Sequence, residues 1–197
     1  MDNELYYHRV ILETDLPSKV SAKDNLVEVQ ILYIFIAEAI EDSFRVYKLK
    51  CWIRFKFLDS LLEDYSHKRY FNHEIGWAVC HHCAVDNAWS MATNSGFDLN
   101  VWLELSSRDD FGQYIRKYLG LVIDNTKPAN VSMINGLAFA SLIARKAVQK
   151  HKRDLVSLII WDVVNVFIER FPFEWIYHDL NQWVQAYKVR HEDLHRT

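Results

Sequence analysis

The sequence predicts an all-α fold, a globular bundle of seven to eight helices around a central hydrophobic helical hairpin. Three observations point there. Half of the 197 residues are hydrophobic, enough to build a core. Five glycines and three prolines are too few to punctuate a sandwich or barrel. Apolar side chains recur along nearly the whole chain at the spacing of one helix face.

The length fits a single domain over residues 1–197, with an irregular N-terminal segment at 1–23 that Pro17 interrupts. From Asp24, a helix N-cap by type, Leu26, Val29, Leu32, Phe35, Ile36 and Ile40 outline one long helix buried on more than one side. Leu49, Trp52, Ile53, Phe57 and Leu61 outline a second over about 49–65, and a third runs over about 74–92 until Asn94-Ser95-Gly96 breaks it. A short piece follows near 101–105. Ser106 or Ser107 then caps a helix reaching Ile123, and residues 124–128 form the clearest turn. Residues 131–148 are apolar all round as far as Arg145, the signature of a helix in the middle of a bundle. Residues 155–171 are almost as apolar, and Pro172 stops them. These two segments are the predicted central hairpin. A last amphipathic helix covers about 173–189.

Charge and cysteine content exclude several function classes. Twenty-three basic against 26 acidic residues leave a net charge of −3, with no global attraction to nucleic acid or anionic membrane. Three cysteines cannot form a disulfide framework, which suits a reducing compartment. The acidic start Met1-Asp2-Asn3-Glu4 does not fit a secretory signal. No uncharged apolar run reaches the roughly 18 residues of a membrane span, so membrane association would need a tail beyond Thr197.

The chemistry-bearing motifs are sparse. His191-Glu192-Asp193-Leu194-His195 spells a zinc-protease pattern, but a terminal turn between Arg190 and Arg196 frays and cannot hold a metal geometry. In Cys80-His81-His82-Cys83, a continuous helix puts the two cysteines on one face and turns the histidines away; core packing is the expected role. Arg145, Lys146, Lys150, His151, Lys152 and Arg153 read as solvated charge at an inter-helix corner. With no phosphate loop and no nucleophile elbow, the expectation is a protein that is not an enzyme and carries no metal and no cofactor.

The order of elements in the C-terminal half resembles the Bcl-2 family of apoptosis regulators. An amphipathic helix beginning Asp110-Phe111-Gly112-Gln113-Tyr114-Ile115 leads to a turn. Val131-Ser132-Met133-Ile134-Asn135-Gly136-Leu137-Ala138-Phe139-Ala140 is similar to the first homology region entering the central helix. Trp175-Ile176, with Trp183 and Tyr187, is similar to the second, and Cys80 to Trp89, with Asp86 at its acidic position, stands for the third. The family's arginine is missing: gapless alignment puts Ile134 and Asn135 on its Gly and Arg. Asn181-Gln182 replaces a Gly-Gly.

The resemblance implies a non-enzymatic regulator, of pro-survival type, that binds pro-apoptotic BH3-type helices in a hydrophobic groove. By position the peptide groove would comprise Phe111, Tyr114, Ile115, Tyr118, Leu119, Asn135, Gly136, Leu137, Phe139, Trp175 and Ile176. Asn135 can offer a ligand aspartate only a neutral hydrogen bond. Weaker or narrower peptide binding, or a groove occupied by the protein's own segment or by another protomer, is therefore expected. The resemblance also implies a cytoplasmic protein acting at the mitochondrial outer membrane surface, with a homodimer as a further arrangement. The alternative is a scaffold of the same fold that lacks a functional groove and acts through a dimer interface.

Overall fold

The computed structural model describes residues 26–49, 73–105 and 107–171. They form seven helices, with no strand among the described residues: α1 (Leu26–Val46), α2 (His73–Cys80), α3 (His82–Asn94), α4 (Leu99–Glu104), α5 (Arg108–Asp124), α6 (Ala129–Gln149) and α7 (Leu155–Arg170). The all-α expectation holds for these residues. The segment 1–23 and the helices expected at about 49–65 and 173–189 lie outside them.

Helix α6 is the axle. It packs against α1, α2, α3, α5 and α7. Met133, Ile134, Leu137, Phe139 and Ile143 have no exposed surface, each contributing about 1.5–3 kcal/mol by leaving water. The stretch Val131–Gln149 is long and apolar enough to cross a membrane, yet 89% of it is buried inside the protein. Its all-round apolarity answers to neighbours on every side.

Of the two segments expected to form a central hairpin, α6 is the more enclosed among the described residues. Helix α7 packs on α1, α5 and α6 through Val156, Ile159, Ile160, Val163, Val164 and Phe167, but exposes Asn165 and Glu169 and half-exposes Trp161 and Ile168. It flanks the axle. Gly136 permits the approach of α5 and α7 to α6, since a Cβ there would come within 3.1 Å of Ile123 and 3.3 Å of Phe167.

The single helix expected at about 74–92 is two. The backbone at His81 is extended (φ −61°, ψ 133°) and separates α2 from α3. Helix α2 lies on α1 and α6, and α3 on α6 and α5. One straight rod cannot follow both partners, and apolar spacing does not register such a bend.

Helix ends follow local rules. Ser107 caps α5, its hydroxyl accepting from the Asp110 N–H at 3.1 Å, with Asp109 and Asp110 favourable in the first turn. Three helices stop on a left-handed residue: Lys48 (φ 57°), Gly96 (φ 93°) and His151 (φ 60°). In each case the next N–H reaches the carbonyl five residues back: Leu49 to Phe44 at 2.7 Å, Phe97 to Ala92 at 2.9 Å and Lys152 to Ala147 at 2.9 Å. Only Gly96 adopts this conformation without steric cost.

The α5–α7 seam holds a charge. Gly112 leaves room for the Asp162 carboxylate, which a Cβ would approach to 3.1 Å. Arg116 lies 3.3 Å from that carboxylate and is itself partly exposed. Burial outweighs the attraction and pushes the Asp162 carboxyl up from 3.8 to about 6.

Two measurements follow from these contacts. Lys48→Gly should raise stability by about 0.5–1 kcal/mol in denaturant melts, by relieving the left-handed strain at the end of α1. Because the folded state binds the Asp162 proton more tightly than the unfolded chain, this group makes stability fall as pH rises from about 4 to about 6. The full difference is about 3 kcal/mol. Asp162→Asn should therefore become more stable relative to wild type across that window, reaching a gain of about 1–3 kcal/mol at pH 8; a pH-independent difference would contradict the buried-carboxylate account.

Candidate functional site

Among the residues expected to line a groove, the apolar ones on α5 and α6 belong to the core. Phe111, Ile115, Tyr118 and Leu119 on α5, and Leu137 and Phe139 on α6, are all buried; Tyr114 is half-buried. Trp175 and Ile176 lie outside the described residues.

The centre of this region is occupied by a residue the apolar spacing did not single out. Phe97, between α3 and α4, is 5% exposed and packed by five rings. Its centroid lies 5.7 Å from Trp89, 6.4 Å from Trp102, 5.6 Å from Tyr114, 5.3 Å from Tyr118 and 5.2 Å from Phe139. Trp102 in turn stacks on Phe111 at 4.6 Å. The plug therefore touches α3, α4, α5 and α6 at once. Its signal was present: a Gly at the helix terminus followed directly by an apolar residue marks a cap whose second residue turns inward.

Polar contacts close the lid over the plug. The Tyr118 hydroxyl donates to the Gly96 carbonyl at 3.0 Å. The Asp98 N–H donates to the Tyr114 hydroxyl at 3.0 Å. The Asp98 carboxylate caps α4, accepting from the N–H groups of Asn100 at 2.8 Å and Val101 at 3.3 Å. Trp89 and Tyr114, whose rings pack on Phe97, stay only partly buried against the core.

Asn135 and Gly136 have structural roles. Asn135 is 1% exposed and donates to the Thr126 hydroxyl at 3.3 Å. Thr126 donates to the Val122 carbonyl at 2.7 Å, and Ser132 donates to the Ile123 carbonyl. These contacts pin the α5–α6 turn through its buried Thr126, and the Asn135 side chain, expected to face a ligand, lies inside the protein. Gly136 sits against Ile123 and Phe167, on the contact of α6 with α5 and α7.

An open cleft of about 620 Å³ lies where the C-terminal ends of α5 and α7 meet the start of α6, bordered by Ile123, Asp124, Lys127, Pro128, Arg170 and Phe171. Arg170 crosses it as a bidentate pair with Asp124, at 2.9 and 3.2 Å. That pair ties α7 to α5.

The basic corner is smaller than its sequence suggests. Arg145 is 6% exposed and lies over the Tyr47 ring at 3.4 Å, leaving Lys150, His151 and Lys152 exposed. Cys80 lies near Ser43, Asp42 and Arg145. Burial pushes its thiol up to about 11, and Ser43 and Arg145 offset this only in part.

No family model, no curated protein and no solved structure matches the chain.

Removing the plug should open a cavity lined by five aromatic rings. Phe97→Ala is expected to lower unfolding stability by about 3–4 kcal/mol in chemical denaturation. Tyr118→Phe, which loses one hydrogen bond and little volume, should cost about 1 kcal/mol.

Proposed function

We propose that this chain is a non-enzymatic, Bcl-2-like regulator of cell death that receives a BH3-type amphipathic helix between α3, α4 and α5, over α6. One observation carries the reading. Phe97 fills the place where those four elements meet, and partly buried apolar side chains border its lid. An entering helix would offer large apolar anchors to the same rings, each contributing about 1.5–3 kcal/mol. It must first lift Phe97 and break the contacts of Tyr114 and Tyr118 with residues 96–98. The closed form thus lowers apparent affinity by the fraction of molecules that are open. The same reading makes the protein pro-survival, sequestering death-motif helices in the cytoplasm and at the mitochondrial outer membrane surface.

The filled centre also favours a second reading, a scaffold of the same fold acting through an outer face. Val101 of α4 is 49% exposed, and Val46 and Tyr47 are exposed at the end of α1. Light scattering that shows a stable dimer, with an interface above about 1,200 Å², would favour this reading.

Calorimetric titration of a panel of BH3-type peptides separates the two. Wild type should bind at least one peptide with micromolar affinity, and Phe97→Ala and Tyr118→Phe, checked for folding by circular dichroism, should bind it more tightly, the former by about tenfold or more. If no peptide binds wild type or either variant below about 10 μM, the groove reading is rejected.

A further inference from the structure

The break between α2 and α3 redistributes the four residues of Cys80-His81-His82-Cys83. On a continuous helix the two cysteines would share a face and the histidines would splay. Here Cys80 closes α2, against Ser43 of α1, while His81 is the extended linker and His82 and Cys83 open α3. One potential ligand atom from each of His81, His82 and Cys83 lies within 4.8 Å of the other two. His82 Nε2 and Cys83 Sγ are 3.4 Å apart. The two imidazole rings are 4.5 Å apart between centroids, inclined by 34°. His82 is exposed, and His81 and Cys83 are half-buried, so an ion can arrive from solvent onto partly anchored ligands.

These separations are close to those a metal requires. Tetrahedral angles with zinc–nitrogen and zinc–sulfur bonds of about 2.0 and 2.3 Å put neighbouring ligand atoms about 3.3–3.6 Å apart. The His82–Cys83 pair already has that spacing. With all three ligand atoms within 4.8 Å of one another, movement of the His81 side chain toward this pair would complete the set. Two imidazoles with one thiolate suit zinc among the borderline ions, whereas hard cations need oxygen ligands.

We propose that His81, His82 and Cys83 form a three-ligand surface site for zinc(II), with solvent in the fourth position. The imidazoles bind through neutral nitrogen lone pairs. The Cys83 thiol binds as thiolate, and its proton passes to solvent. Ligands from the linker and from the first turn of α3 make the ion a clamp on the α2–α3 junction. Cys80 takes no part.

Cobalt(II) titration of the full chain, reduced with a non-chelating phosphine, tests the assignment. Expected is one equivalent bound, with the visible bands of a tetrahedral ion and a thiolate charge-transfer band, both erased by zinc. His82→Ala and Cys83→Ser should each weaken binding by about tenfold or more, and Cys80→Ser should change it by less than about twofold. Zinc should also protect Cys83 from alkylation, located by mass spectrometry, a readout independent of any variant's folding. Absence of the charge-transfer band would overturn the proposal. So would its survival in Cys83→Ser, its loss in Cys80→Ser with retention in His81→Ala, or alkylation of Cys83 at the same rate with and without zinc.

Discussion

The structure depends on the enclosure of one helix. A helix that is apolar on every face has no side to offer to water, so the chain must supply neighbours all around it. Five helices do this for α6. The requirement shapes the others: α2 and α3 part at His81, so that both lie on the axle while α2 also meets α1 and α3 also meets α5. Gly136 must lack a side chain where Ile123 and Phe167 close in.

Enclosure also decides where polar groups can lie. Asn135, Thr126 and Ser132 are buried together and mostly satisfy one another and the end of α5, holding the α5–α6 turn. Asp162 sits at the α5–α7 seam with a half-exposed arginine as its partner, and Arg145 lies over Tyr47 where α6 nears its end. Each group is near a seam or an end, where a neighbour or nearby solvent reduces the cost of desolvation. The proposed peptide-binding function follows from the same economy of packing. A ring that plugs the junction of four helices is core when the protein is alone, and the side chains around it are what an incoming helix would bury instead.

Much of this was legible along the chain. The periodicity of residues 107–123 marked the inward face of α5, where Phe111, Ile115, Tyr118 and Leu119 are buried, with Tyr114 at the margin. Ser107 was readable as a cap because its side chain serves its own backbone three residues on. Less legible were features decided by two distant segments. Asn135 looked available to a ligand because nothing in its neighbourhood names Thr126 as a partner. Arg145 looked like surface charge until Tyr47, nearly a hundred positions earlier, covered it. Helix faces bring Phe111, Ile115 and Tyr118 to the inward side of α5, but that Phe97 packs beside Tyr114, Tyr118 and Phe139 depends on a segment that no helix face names.

The sequence by itself determined the helical class and the positions of most helix ends. Those properties live in spacings of three and four residues and in caps, which are local. Only the tertiary structure decided that α6 is enclosed more fully than α7, that Phe97 fills the centre, and that the Cys-His-His-Cys run is divided between two helices. The reason is geometric: side-chain direction follows from local conformation, but what a side chain meets is set by segments far away in the chain, and a single extended residue at position 81 was enough to reassign three of its neighbours.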